Sequence, residues 1–127
     1  MIELKKYTKE DENHLIQLIK DEGEEWKDYY ERKKDVYIKN CEQSITYVLY
    51  DDASMIGYIR ALLDLGFAVY ICDLLVTKSH RGHGYGKLLM EHIRKLYPDL
   101  EIYVMSDVDP YYKKQGYEKI GSIFEIK

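Results

Sequence analysis

Cysteine and proline are scarce in this chain of 127 residues, with two of each. Cys41 and Cys72 fall in different predicted elements without metal-ligand spacing, which excludes a disulfide framework and a zinc knuckle and suits reduced intracellular thiols. Neither Pro98 nor Pro110 opens a linker, so residues 1–127 read as one domain. No apolar run is long enough for a bilayer span, and Met1-Ile2-Glu3-Leu4-Lys5-Lys6 lacks the basic-then-apolar build of an export signal. A cytoplasmic protein with no membrane partner is expected. Positive charge is not in excess either. Nineteen Lys and Arg against 23 Asp and Glu leave a net charge of −4, which argues against nucleic acid as a partner and favours a cationic substrate.

Apolar residues at 46% and charged residues at 33% suit a folded globular chain. Residues 2–7 alternate as a first strand. Thr8 with Glu10 and Asp11 reads as the start of a helix that ends near Gly23, its stripe being Leu15, Ile16, Leu18 and Ile19. Residues 24–40 read as a second, highly charged helix with Trp26, Tyr29, Tyr30, Val36 and Tyr37 on its apolar side. The period then changes to that of strands: 45–50 and 55–63 form a hairpin, and 67–76 follows after a turn at Asp64-Leu65-Gly66. A helix over 86–97 is stopped by Pro98. A strand at 100–105, a short helix at 109–115 and a closing strand at 117–126 complete the order. This β-α-α-β-β-β-α-β-α-β order is α+β, with a central mixed, mostly antiparallel sheet flanked by helices.

Ile71–Val76, Arg81–Gly86 and Lys87–Met90 read as a buried strand, a glycine-rich loop and a helix start. Glycines let a backbone approach a ligand closely, and a helix start aims unpaired N–H groups and a positive dipole end at an anion. Arg81 adds a planar charge suited to phosphate oxygens. The dinucleotide fingerprint fails, because Lys87 stands where its third glycine belongs. A P-loop fails at Arg81 and Leu88. What Arg81-Gly82-His83-Gly84-Tyr85-Gly86 does match is R/Q-x-x-G-x-G/A after a strand, the pyrophosphate motif of the GCN5-related N-acetyltransferases. Asp73-Leu74-Leu75-Val76 resembles that family's acidic-apolar strand, and Tyr111-Tyr112-Lys113-Lys114-Gln115-Gly116-Tyr117 resembles its F-Y-x-x-x-G-F segment. The predicted element order is also similar to the family's.

The resemblance implies an acyl-CoA N-acyltransferase-like fold with acetyl-CoA as co-substrate. Leu74, Leu75 and Val76 would offer backbone groups to the pantetheine, and Arg81, Gly82, His83, Gly84, Tyr85 and Gly86 would hold the pyrophosphate. A strand edge suits this independently, since pantetheine carries two amides. Tyr112 stands at the family's proton-donor position. With an ordinary pKa of about 10 against roughly 8.5 for a thiol, it can protonate the departing sulfur. Tyr111, where the family has Phe, reads as core. Asp73 has two readings: base for the incoming amine, or strand-end carboxylate bonded to backbone. The family's Asn in the loop after the strand at 100–105 is replaced by Ser106-Asp107-Val108-Asp109. His80 and His83 lack a third ligand, so no metal is expected. The aromatic residues of 24–40 read either as core or as an acceptor wall.

The expected activity is acetyl transfer from acetyl-CoA to a primary amine of a small molecule or peptide by direct attack, no cysteine being placed to carry the acyl group. Its rivals are a non-catalytic acyl-CoA binder and a module that docks a partner on the charged helix. A monomer and a homodimer are equally compatible with the sequence.

Overall fold

A computed structural model describes all 127 residues. Five strands, β1 Ile2–Lys6, β2 Ile45–Asp51, β3 Ser54–Asp64, β4 Ala68–Val76 and β5 Glu101–Val104, form one sheet in chain order. The first four run antiparallel, and β5 lies parallel to β4. The two tight hairpins turn at Asp52 and Gly66, whose positive φ values (54° and 72°) suit Asp and Gly. The parallel step from β4 to β5 needs a crossover, and that crossover carries the glycine loop and a helix. The mixed, mostly antiparallel α+β sheet predicted from the element order forms, with five of its six expected strands.

Five helices, α1 Glu12–Glu22, α2 Lys27–Tyr30, α3 Lys34–Gln43, α4 Tyr85–Leu96 and α5 Asp109–Lys114, flank the sheet. A 3-10 turn at Lys9–Asp11 leads into α1 and is closed by Thr8 N–H donating to Asp11 Oδ2 at 2.9 Å. The strands alternate between two cores. Leu15, Leu18 and Ile19 of α1 and Tyr37 and Cys41 of α3 pack with Val48, Tyr50, Tyr58 and Leu75 on one face. Leu89, Met90 and Ile93 of α4 pack with Leu49, Ile56, Ile59, Val69 and Ile71 on the other. No helix is long and apolar enough to cross a membrane.

Three local expectations are corrected. The single helix expected over 24–40 is a 3-10 turn at Glu24–Trp26, then α2, a turn at 31–33, then α3. Glu31-Arg32-Lys33-Lys34 has no apolar side chain to hold a helical stripe on the core. The break lets Tyr37, Ile38 and Cys41 turn inward, and it leaves Val36, assigned to the apolar side, 62% exposed. The closing strand expected over 117–126 does not form: no strand pairs with those residues, and Ile120, Ile123, Phe124 and Ile126 are exposed. Tyr111, read as core, is half-exposed, and Tyr112 packs inward instead.

Candidate active site

The site begins where the sheet comes apart. β4 pairs with β3 along its whole length but with β5 only from Ala68 to Ile71. The last rung is Met105 N–H donating to the Ile71 carbonyl at 3.2 Å. Beyond it, Cys72–Val76 has no strand on the β5 side. A bulge at the same point sets Cys72 as an extra residue between the pairs Ala61–Ile71 and Arg60–Asp73. The bulge interrupts the alternation of side chains: Ile71 packs on the α4 face, while Asp73 turns to the α1–α3 face. Leu75 then packs under α1, and Leu74 and Val76 lie toward α4. The outer side of Leu74, Leu75 and Val76 thus borders a wedge past the end of β5, whose last residue is Val104.

The glycine loop follows directly. Gly82 and Gly84 both take φ of 81°, a conformation that favours glycine. A Cβ at either would meet nothing within 4 Å, so the loop faces open space. Gly84 caps α4, and its carbonyl accepts from Leu88 N–H at 3.0 Å, which leaves the first N–H groups of the helix free of intrahelical partners. At Gly86 a Cβ would collide with the Tyr111 hydroxyl. Arg81 is not idle: its Nε donates to the Val76 carbonyl at 2.9 Å, and its Nη2 donates to both carboxylate oxygens of Glu22 at 2.5 and 2.8 Å. His83 lies edge-tilted to Tyr85, and His80 pairs with Asp51. No group of three or more His, Cys, Asp and Glu side chains is arranged to hold a metal ion.

Asp73 is buried, 4% exposed, and its Oδ2 accepts from Arg60 Nε at 2.6 Å and from the Tyr37 hydroxyl at 2.7 Å. Its partners are therefore two side chains rather than the backbone. The Tyr37 and Tyr58 hydroxyls are 2.5 Å apart. Burial first, then the neighbouring ionisable groups, Asp73 among them, push both phenols well above the ordinary range, so both stay neutral. Tyr29 stacks on Tyr37, and Trp26 stands edge-on to Tyr29, so the aromatic residues of 24–40 form a layer over this network. Tyr112 lies across the sheet. It packs against the same core as Leu74 and Val76, stands edge-on to Tyr111, and is pushed up to about 12 chiefly by burial, then by Tyr111 and Asp107.

The residues expected to carry chemistry thus fall in two groups. Leu74, Val76, the glycine loop and Tyr112 gather on the α4 side, and Asp73 sits on the α1–α3 side. Arg60, Tyr58 and Glu22 escaped the sequence reading, since nothing local to them marks a site, and Tyr37 was legible only as core or acceptor wall, not as a partner of Asp73. Two open pockets, about 320 and 340 Å³, lie around His14 and the turn at Ala53; the first reaches Thr77, next to Val76, and none of the expected site residues lines either.

A model of the acetyltransferase (GNAT) family matches residues 13–117, and the chain belongs to that family. It is 29% identical over 95 residues to an uncharacterized N-acetyltransferase, ycf52, of Porphyra purpurea, covering 69% of this chain and 55% of that protein. It is 27% identical over 99 residues to GCN5-related N-acetyltransferase 3, chloroplastic, of Arabidopsis thaliana, covering 72% and 42%. The chain spans about half the length of these curated relatives. Among solved structures, the fold is similar to PaiA N-acetyltransferase of Thermoplasma acidophilum in complex with coenzyme A (TM-score 0.73, 18% identity, 90% of this chain and 88% of that one). It is also similar to AAC(6')-Iy in complex with a bisubstrate analog, CoA-S-monomethyl-acetylneamine (TM-score 0.77, 13% identity, 100% and 97%). Both likenesses establish the acyl-CoA N-acyltransferase-like fold.

Proposed function

We propose that this protein moves an acetyl group from acetyl-CoA to a primary amine by direct attack within a ternary complex. The observation that carries the reading is the wedge past Ile71, bordered by the side of Cys72–Val76 that no strand pairs, the Val76 carbonyl being held by Arg81, and continued by the open glycine loop. Pantetheine would lie along Leu74–Val76, and its pyrophosphate on residues 81–86. The amine nitrogen attacks the thioester carbon, whose developing oxyanion faces the Val76 N–H. As the C–S bond breaks, the sulfur takes the Tyr112 proton. A phenol near 12 is fully protonated at neutral pH, which supports that donor role. The amine's proton passes to Asp73 on the opposite face, through Oδ1, because Oδ2 is committed to Arg60 and Tyr37. Free Cys41 and Cys72 support a reducing, cytoplasmic setting.

Mass spectrometry of ligand retained by the purified protein, followed by release of free CoA with a panel of primary amines, tests the reading. Retained CoA with amine-dependent release is the expected result. Binding without release by any amine supports the rival acyl-CoA binder, which the tie between Asp73 and Arg60 favours; failure to bind acetyl-CoA removes both.

A further inference from the structure

We infer that Glu22 acts as a resident anion on Arg81, in competition with the pyrophosphate of acetyl-CoA, and so sets the affinity of the site without touching the acetyl group. This rests on the reading that residues 81–86 receive that pyrophosphate. Glu22 is the last residue of α1, and its side chain is only 13% exposed, while that of Arg81 is 46% exposed. Both Glu22 oxygens receive Arg81 Nη2, and Arg81 Nε is held by the Val76 carbonyl. A carboxylate chelating a guanidinium occupies the position a phosphate oxygen pair takes on the same group. Near the loop, Lys87 Nζ lies 3.9 Å from Glu91 and His80 Nε2 lies 3.2 Å from Asp51 Oδ2, while Lys78 has no ion pair.

Two consequences have the same sign. When Arg81 turns to the pyrophosphate, Glu22 loses its only ion-pair partner in a mostly buried position, which subtracts from the binding free energy. Its negative charge also faces the incoming phosphates. Glu22 is therefore an affinity-setting residue that weakens binding and eases release of CoA. Both carboxylate oxygens share the one nitrogen Nη2 and the pair is half-screened by solvent, so its contribution lies between those of exposed and buried pairs, worth about tenfold in affinity.

The test is calorimetric titration of acetyl-CoA into wild type, Glu22→Gln, Arg81→Met and the double variant, with inorganic pyrophosphate as a second probe. Gln keeps the size of Glu and one acceptor oxygen, so the fold survives. Glu22→Gln is expected to tighten acetyl-CoA and pyrophosphate about tenfold. The same substitution in the Arg81→Met background should change affinity by less than about threefold. Without ligand, Glu22→Gln should melt no higher than wild type, and with saturating acetyl-CoA it should melt above it, a reversal that a purely structural role does not produce. Unchanged or weaker binding by Glu22→Gln overturns the inference, as does equal tightening in the Arg81→Met background. Wild type that fails to bind acetyl-CoA instead overturns the proposed function.

Discussion

Replacing Asp73 with Asn should first be felt in stability. The side chains of Asp73 and Arg60 are 2% and 14% exposed, and one carboxylate oxygen takes both Arg60 Nε and the Tyr37 hydroxyl. Asn keeps the shape and an acceptor oxygen but removes the charge, leaving the guanidinium of Arg60 uncompensated. Breaking a buried pair from one side costs about 3–5 kcal/mol. Arg60 retains some contact with water and a bond to Ser44 Oγ at 3.3 Å, which puts the cost near the lower bound, about 3 kcal/mol. Unfolding entropy near 2.1 cal/mol/K per residue gives roughly 0.27 kcal/mol/K for 127 residues, so Tm should fall by about 11 °C. Calorimetric melting of Asp73→Asn, Arg60→Met and Asp73→Leu/Arg60→Met checks this. Both single variants should be strongly destabilised and the double variant should recover much of the loss, because apolar replacement of a whole pair is often near neutral. An Asp73→Asn protein melting within about 2 °C of wild type, or strictly additive losses, would refute the argument.

The remaining expectations concern the reaction. Tyr112→Phe should retain acetyl-CoA affinity by calorimetry and slow single-turnover transfer about 10²-fold or more. Gly84→Glu should abolish measurable acetyl-CoA binding in a protein that still folds, since φ of 81° strains any side chain there by about 1–2 kcal/mol and the new charge repels pyrophosphate. The single-turnover rate should climb with pH to a plateau as the amine loses its proton. Because burial holds Tyr112 near 12, its protonated, donating form persists above the ordinary phenol range, so no falling limb from this group should appear below about pH 11. Asp73→Asn, assayed well below its melting temperature, should lower that plateau; an unchanged single-turnover profile would leave the proton to water or another carboxylate.

How much of this was legible in the sequence depended on distance along the chain. The strand–loop–helix unit at 71–96 could be read because its signals are local: an apolar run, glycines where φ is positive, then the stripe of Leu89 and Ile93, which stops short of Leu96, 41% exposed where the helical period puts it toward the sheet. The partnership of Asp73 with Arg60 could not, because it depends on the register between β3 and β4 across a bulge. The resemblance implies strands splayed apart at mid-sheet, but the point at which pairing ends was hidden for the same reason, since it depends on where β5 stops. At 117–126 the pattern of Ile120, Ser122, Phe124 and Ile126 imitates a half-buried strand, and only the absence of a paired neighbour distinguishes it. Position in the motif separated Tyr112 from the other tyrosines, whereas which of Tyr111 and Tyr112 faces the core is decided by the helical turn of α5.

Unpaired strand edges ordinarily invite another chain to add on, the first step toward aggregation. The unpaired edge of Cys72–Val76 limits that hazard by its length. It starts past the rung from Met105 to Ile71, carries the bulge at Cys72, and ends where Arg81 Nε occupies the Val76 carbonyl. A short, bulged edge offers a foreign strand few partners in register. A slender ligand with two amides of its own needs no more than that. The fold thus keeps a few hydrogen-bonding groups available to a narrow ligand while giving other proteins little to pair with.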